Sequence, residues 1–330
     1  MKTVFSYFAS AFTVVGCVIG AGFITGKEIA TFFYKPSLSV IYLTFVLFVI
    51  FFYITFRFGS KSKVAKVISY ISSLFSVLIS ASMLGACRNV FSIILRKTEN
   101  IEILLIFTLI FAIIISLKGV KYITAFNVVF LPVSIVVTVY LILKNSEFTT
   151  LQISSFGGTE IYMPILYVGM NTFTSFKIFS DLGKNKGSRF AFFTSAISAF
   201  FLAMMILVIS DAISPDYLRF SLLPILTLLR FDKFGYTVML FVCLIGIFST
   251  LICSLYASFS IIKENFAILK RCVLSVAVFF ISKFGFSKIV NDFYPILGVL
   301  GVIFVIIVSL RAFFPKRRPT RTYRPLKRII

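Results

Sequence analysis

The chain has 330 residues, 59% of them hydrophobic, and a mean hydropathy of +1.05. A water-soluble domain of this length cannot enclose so much apolar side chain, so the composition excludes the soluble globular classes and indicates an integral membrane protein. The 33 lysines and arginines against 11 acidic residues give a formal charge of +22, and the chain contains no histidine.

The residue types argue against an enzyme. Without histidine the chain lacks the commonest metal ligand and cannot form a Ser-His or Cys-His pair, the commonest nucleophile–base arrangement. Its five cysteines lie in or beside apolar stretches without CxxC spacing, which favours buried reduced thiols over a disulfide framework or a zinc site. We therefore expect no enzymatic activity and no cofactor.

Ten apolar runs predict ten membrane-spanning helices, because lipid requires each backbone polar group to be satisfied locally. They form one transmembrane domain over residues 1–314, followed by a basic tail over 315–330. The runs are 5–33, 38–56, 67–90, 101–117, 122–143, 161–180, 190–210, 235–262, 271–288 and 291–313.

The basic residues predict the orientation of the runs. With both termini in the cytoplasm, about two thirds of the lysines and arginines fall in cytoplasmic segments and most acidic residues fall outside, as the positive-inside rule expects. This topology already explains most of the charge, so we expect no nucleic-acid partner. The tail PKRRPTRTYRPLKRII is interpreted either as a segment that binds anionic lipid or as a disordered segment that only sets topology.

Residues 211–235, DAISPDYLRFSLLPILTLLRFDKFG, separate the seventh and eighth runs. The segment is too long for a tight turn, and its SLLPILTLL core is too short to span. It predicts an external helical hairpin or lid over the membrane face.

The first run contains GCVIGAGFITGKE, residues 16–28, in which four glycines precede a lysine and a glutamate. Glycine is about 1 kcal/mol worse than alanine inside a helix, and a charge at mid-bilayer costs about 2.5–3.5 kcal/mol. The stretch therefore predicts a break near the middle of the run. The alternative is close helix packing through the GxxxG pair Gly16–Gly20.

The sixth run, IYMPILYVGMNTFTSFKIFSDLG, contains Pro164, a central Gly169 and the polar residues Asn171 and Thr172. A second interrupted helix five crossings after the first is typical of inverted-repeat transporters, whose sites lie at the bilayer midplane. The two repeats would cover about 5–143 and 161–313. An ordinary helix with a polar stripe facing the bundle is the alternative for this run alone.

Three stretches resemble a known family. GAGFITGKEIATFF resembles the first-helix signature of the bacterial YkvI-like membrane proteins, ILYVGMN their sixth-helix motif, and GFSKIVNDFYPILG their ninth-to-tenth junction. The resemblance implies the LeuT-type fold of the APC superfamily: an all-α polytopic protein of the bacterial plasma membrane with a 5+5 inverted repeat and discontinuous helices 1 and 6.

The resemblance also implies a cation site between the first and eighth helices. Sodium-coupled carriers of this fold hold an ion by carbonyls of the first helix and by a carbonyl and two hydroxyls of the eighth. The residues that match are Gly16, Ile19, Gly246, Ser249 and Thr250. The alternative for Ser249 and Thr250 is hydrogen bonding back to their own helix.

A solute site is expected between the two breaks. Free N–H groups at the start of the outer half of helix one suit a carboxylate, polar side chains of the sixth run can donate and accept, and Phe23, Tyr167 and Phe173 would form an apolar wall. A small amino acid or similar zwitterion fits this pattern. The predicted residues are Gly20, Ala21, Gly22, Phe23, Tyr167, Gly169, Asn171 and Thr172.

Charged residues inside the runs are candidates for gating or coupling. Glu28 is predicted about two turns beyond the break, toward the outer side, where it would capture a cation or relay a proton; Lys27 is a poor partner, since adjacent helix positions do not face each other. A packing or gate charge paired with another helix is the alternative. Lys177 and Asp181, spaced i and i+4, predict a pair at an inner gate.

The function predicted is secondary transport of a small solute by alternating access. A membrane sensor that binds ligand without flux is the alternative. A channel is disfavoured, because neither rings of like charge nor a carbonyl filter motif is visible.

Overall fold

The computed structural model describes residues 2–33, 35–60, 63–95, 100–146, 158–221, 223–262 and 266–313, and all regular structure in these ranges is helical. The predicted basic tail, 315–330, lies outside the described residues. The helices are α1 (Lys2–Val18), α2 (Ala21–Ile24), α3 (Lys27–Phe32), α4 (Leu38–Phe58), α5 (Lys63–Leu95), α6 (Ile101–Leu117), α7 (Val120–Asn145), α8 (Gly158–Thr174), α9 (Phe176–Leu182), α10 (Ser188–Ala212), α11 (Asp216–Arg219), α12 (Pro224–Leu228), α13 (Lys233–Phe259), α14 (Ala267–Ile281) and α15 (Phe286–Phe313), with 3-10 turns at Leu229–Phe231 and Ser282–Phe284.

Within the described ranges, six helices are long and apolar enough to cross a membrane: α4, α5, α7, α10, α13 and α15. Two shorter apolar helices, α1 and α6, each have 17 residues. Large apolar side chains on the outside of the bundle, such as Phe107, Val136 and Ile268, are more than half exposed. These features confirm the prediction of an all-α, multi-pass membrane protein.

The last two helices meet earlier in the chain than the apolar runs predict. α14 ends at Ile281, and α15 begins at Phe286. Between them Gly285 has a φ of +90°, a conformation that glycine adopts without strain. The turn therefore lies at 282–285 rather than at the predicted gap between residues 288 and 291.

α13 lies at the centre of the bundle. It packs against α5, α6, α7 and α1, and 72% of its most apolar window is buried, the largest share among the six long helices. α1 also contacts α7 and α10, so the broken first run and α13 face each other inside the protein.

α8 and α15 pack with their backbones in contact. A methyl group added to Gly169 would lie 2.7 Å from the carbonyl oxygen of Gly298, and one added to Gly298 would lie 2.7 Å from the carbonyl oxygen of Leu166. A methyl group at Gly301 would overlap the Gly169 carbonyl. Small residues let membrane helices approach closely in this way, so Gly169 serves helix packing in this structure.

Candidate functional site

The first run is interrupted twice within eight residues. α1 ends at Val18, Gly20 is extended, and Gly26, with a φ of +83°, turns the chain between α2 and α3. The N–H group of Gly20 donates to the carbonyl of Val18 at 2.8 Å instead of continuing the α-helical ladder. The predicted break is present, and glycine occupies the position of positive φ because other residues adopt it at a cost.

The sixth run is interrupted later and more briefly than predicted. α8 continues through Pro164 and Gly169 to Thr174, and a single residue, Ser175, separates it from α9. The N–H group of Ser175 still donates to the carbonyl of Asn171, 3.2 Å away. From α5, the hydroxyl of Ser76 donates to the carbonyl of Thr174 at 3.3 Å.

The residues predicted to hold a cation converge between α1 and α13. The hydroxyls of Ser249 and Thr250 donate to the carbonyl oxygen of Gly16 at 2.8 and 3.1 Å. A methyl group at Gly246 would lie 3.1 Å from the carbonyl oxygen of Ile19. All five residues are buried, so a cluster of carbonyl and hydroxyl oxygens lies beside the first break.

Asn127 of α7 belongs to this cluster, and the sequence analysis missed it. Its Oδ1 lies 2.5 Å from the hydroxyl of Ser249, and its side chain is fully buried. The Nδ2 group has no hydrogen-bond partner among the described residues. The available signal was a lone amide inside an apolar run, since polar residues within membrane helices are usually functional.

A small cavity of about 10 Å³ lies next to the oxygen cluster, room for about one water molecule. The cavity is lined both by Thr250 of the oxygen cluster and by Ser175 at the interruption of the sixth run. On one wall the Sγ atoms of Cys17 and Cys253 lie 2.8 Å apart. The lining residues are Cys17, Ile79, Thr174, Ser175, Ile178, Thr250, Cys253 and Ser254.

Glu28 folds back over the broken segment. A methyl group added to Gly22 would overlap its carboxyl group, and only 3% of the residue is exposed. The hydroxyl of Tyr167 donates to its Oε2 at 3.4 Å. The left-handed turn at Gly26 separates α2 from α3, and Glu28 lies against Gly22 in the broken segment, whereas the sequence predicted it about two turns beyond the break.

Aromatic rings enclose Tyr167 beside this carboxyl group. The ring centroids of Phe33, Phe32 and Phe48 lie 5.0, 5.2 and 6.2 Å from that of Tyr167. Phe173, in contrast, packs on Phe75 and Phe304. Six residues advance a helix by about 600°, which leaves Tyr167 and Phe173 on different faces, so the predicted common wall is not formed.

The polar residues predicted for solute binding are satisfied within their own helix. The side-chain amide of Asn171 donates to the carbonyl of Tyr167 at 3.0 Å, and the hydroxyl of Thr172 donates to that of Val168 at 2.7 Å. Both are buried. Gly20, Ala21, Gly22 and Phe23 are buried at the first break.

The predicted lid lies directly over the first break. The N–H group of Ile225 donates to the carbonyl of Thr25 at 3.0 Å, and a methyl group at Gly26 would lie 3.3 Å from the Ile225 side chain. Lys27 extends its Nζ to within 3.5 Å of the carbonyl of Ser221. The segment that contains α11 and α12 therefore covers one side of the candidate site.

The predicted pair Lys177 and Asp181 lies in α9. The Nζ and carboxylate oxygens are 2.9 Å apart, and each side chain is about a quarter exposed. The hydroxyl of Tyr256 in α13 donates to Oδ2 of Asp181 at 2.7 Å. This network joins α9 to α13 beyond the interruption at Ser175.

The comparisons with known proteins connect this architecture to transporters. The chain matches no protein-family model and no curated protein. Among solved structures it is similar to the manganese transporter of Eremococcus coleocola in complex with an aromatic bis-isothiourea substituted compound, with 13% identity, a TM-score of 0.54 and coverage of 92% of this chain and 76% of that chain. A variant of the same transporter gives a TM-score of 0.52 at 14% identity and covers 94% of this chain and 88% of that chain.

At these identities the similarity shows the fold alone: the chain has the helical fold of this transporter. A weaker similarity, with a TM-score of 0.45, relates it to Mhp1, a nucleobase-cation-symport-1 family transporter. Because no family model matches, the resemblance to the YkvI-like proteins stays a prediction.

Proposed function

We propose that the chain is a secondary transporter that moves a small solute across the membrane by alternating access. We further propose that the solute carries an ammonium group, as an amine or an amino-acid-like molecule does. The observation that carries this proposal is the buried carboxyl group of Glu28, folded onto the broken segment of the first crossing at Gly22.

A buried carboxylate is stable only with a proton or a cationic partner, since an unpaired charge in the interior costs several kcal/mol. The described part of the chain provides Glu28 with a tyrosine hydroxyl and with no lysine or arginine within salt-bridge distance. The nearest basic residue in sequence, Lys27, extends toward Ser221 instead. We infer that a cationic group of the solute is the partner of the ionised carboxylate.

The aromatic surroundings support the same choice of solute. Tyr167 presents its ring among Phe32, Phe33 and Phe48 and its hydroxyl to Glu28. Aromatic faces attract ammonium groups by about 0.5–2 kcal/mol, and more strongly when water is excluded. The position of Glu28 makes the carboxylate subsite predicted at Ala21–Phe23 unfavourable while the glutamate is ionised.

The proposal includes ten crossings arranged as two inverted repeats of five, with both termini in the cytoplasm of a bacterial cell. In this arrangement the lid over Gly26 and Thr25 closes the outer side, and the network of Tyr256, Asp181 and Lys177 closes the inner side. Transport requires these two contacts to open in turn.

We propose in addition that sodium drives the transport and binds to Gly16, Ile19, Gly246, Ser249 and Thr250. Hard cations replace their water with several oxygen ligands, and the hydroxyl oxygens of Ser249 and Thr250 both lie within hydrogen-bond distance of the Gly16 carbonyl oxygen. The side-chain oxygen of Asn127 next to Ser249 adds a further ligand from α7.

Uptake into proteoliposomes tests the proposal. Purified protein is reconstituted, and uptake of radiolabelled alanine and propylamine is compared with that of propionate, which has no ammonium group, under an inward sodium or potassium gradient. We expect uptake of at least one of the two ammonium compounds, faster with sodium, and none of propionate. Binding without uptake would identify a sensor instead, and uptake of propionate alone would contradict the role assigned to Glu28.

A further inference from the structure

A long apolar groove lies on the outside of the bundle between α6 and α14. It has a volume of about 470 Å³ and is lined by side chains such as Ile106, Ile110 and Leu117 on one wall and Val276 and Phe279 on the other. Ile110 and Val276 are about half exposed. The groove is therefore open to the lipid and separate from the candidate solute site.

The two ends of the groove differ in charge. Glu102, at the start of α6, pairs with Arg88 of α5, and Gly85, about one turn earlier in α5, packs against the carbonyl of Ser282 just after α14. The start of α6 therefore lies near the end of α14, so the two helices run antiparallel. The end of α6 at Leu117 consequently lies beside the start of α14, where Arg271 lines the groove. Exposed basic residues flank this end: Lys118, Lys121 and Lys270.

Arg271 is the polar group that gives the groove a specific chemistry. Its Nε atom is buried and has no hydrogen-bond partner among the described residues. Buried donors in native proteins are nearly always paired with a protein group or an ordered water molecule, so an unpaired one calls for an explanation. The partner that suits a guanidinium best is a carboxylate or phosphate oxygen.

We propose that this groove binds an anionic phospholipid, with one acyl chain lying along α6 and α14 and the phosphate accepting hydrogen bonds from Arg271. The apolar walls match the acyl chain, and the basic end matches the headgroup. Basic pockets between membrane helices on the cytoplasmic side bind anionic headgroups in this manner, and the predicted topology puts this end in the cytoplasm. The proposal does not depend on the transported solute.

Tryptophan fluorescence can test the groove, because the chain contains no tryptophan. A Phe279→Trp variant has a single fluorophore in the groove, and phosphatidylglycerol or phosphatidylcholine with brominated acyl chains will quench it on contact. We expect phosphatidylglycerol to quench Phe279→Trp more strongly than phosphatidylcholine does. Adding Arg271→Gln should reduce this preference for phosphatidylglycerol about fivefold. Phe241→Trp, on an exposed face of α13 outside the groove, is the control and should show equal quenching by both lipids.

Native mass spectrometry provides a second measurement that needs no tryptophan. Wild-type protein should retain bound phosphatidylglycerol, Arg271→Gln should lose most of it, and Lys184→Gln, which changes an exposed lysine in the turn after α9, should retain it. Equal quenching of Phe279→Trp by the two lipids, or equal retention by Arg271→Gln and wild type, overturns the proposal. A Phe279→Trp variant quenched by neither lipid also overturns it and indicates another occupant of the groove, such as a second copy of the chain.

Discussion

The hydroxyl group of Ser249 donates to the carbonyl oxygen of Gly16 at 2.8 Å, although 233 positions separate them in the chain. The Gly16 carbonyl is available because the N–H group of Gly20, its usual helical partner, turns away to Val18. The break in the first crossing thus exposes a backbone acceptor beside the hydroxyls of α13. This relationship makes the cluster a candidate cation site.

Sodium should stabilise the wild type and not the double variant Ser249→Ala, Thr250→Ala. A cation at about 100 times its Kd adds about 2.7 kcal/mol to the free energy of unfolding, which a thermal unfolding series with sodium or potassium will detect. Ser258→Ala is the matched control, because its hydroxyl bonds to its own helix at the carbonyl of Ser254. Equal sodium shifts in wild type and the double variant would exclude these hydroxyls as ligands.

Glu28→Gln should reduce uptake at least tenfold without lowering thermal stability. The amide keeps the size of the side chain and the contact with Tyr167, but it removes the charge that would bind the ammonium group. Stability should stay equal or rise, because a neutral amide costs less to bury than an unpaired carboxylate. Uptake and unfolding temperature are measured on the same preparation.

The control for this variant is Glu102→Gln, which removes a carboxylate paired with Arg88 outside the candidate site. It should leave the affinity for solute unchanged. A well-folded Glu28→Gln protein that transports at the wild-type rate would remove Glu28 from the mechanism.

Gly169→Ala should destabilise the protein by about 1–3 kcal/mol, the usual cost of overpacking. Its new methyl group would lie 2.7 Å from the carbonyl of Gly298, where neither backbone can move away easily. Gly187→Ala is the control, since nothing lies within 4 Å of a methyl group there. Thermal unfolding in detergent checks both, and an unfolding temperature equal to that of wild type for Gly169→Ala would contradict the packing role.

The features of the site that local chemistry determines could be predicted from the sequence. Gly20 and Gly26 lie in a stretch too rich in glycine for a continuous helix, and both lie at the interruptions of the first crossing. The hydroxyl pair on α13, which the resemblance to sodium-coupled carriers implied rather than local chemistry, also lies at the first break.

The features that depend on tertiary packing could not be predicted from the sequence. A central glycine such as Gly169 predicts a break in its helix, but α15 packs closely against Gly169 and α8 stays continuous there. The turn at Gly26 brings Glu28 against Gly22, and the spacing of apolar and polar residues in the sequence does not determine the direction in which the chain turns. Asn127 was missed because its role depends on which face of α7 meets α13.

Asp232, which precedes the first residue of α13, should make the stability of the protein decrease in acid. Lys144 donates to its carboxylate at 2.8 Å, and the Gly235 N–H group and Asn145 amide donate as well. These contacts, that of Lys144 above all, lower the pKa of Asp232 from 3.8 to about 2. Because the folded pKa is the lower one, the stabilisation is complete above about pH 4 and is lost as the pH falls toward 2.

Asp232→Asn should therefore lower the unfolding temperature at pH 7 and flatten its decline between about pH 4 and 2, because the amide has no charge to lose and is a weaker partner for Lys144. The measurement is thermal unfolding of both proteins across this pH range. Asp292→Asn, which changes an exposed aspartate of α15, should keep the wild-type profile. Equal losses of stability by Asp232→Asn and wild type below pH 4 would contradict the prediction, because they would mean that protonation of Asp232 does not destabilise the protein.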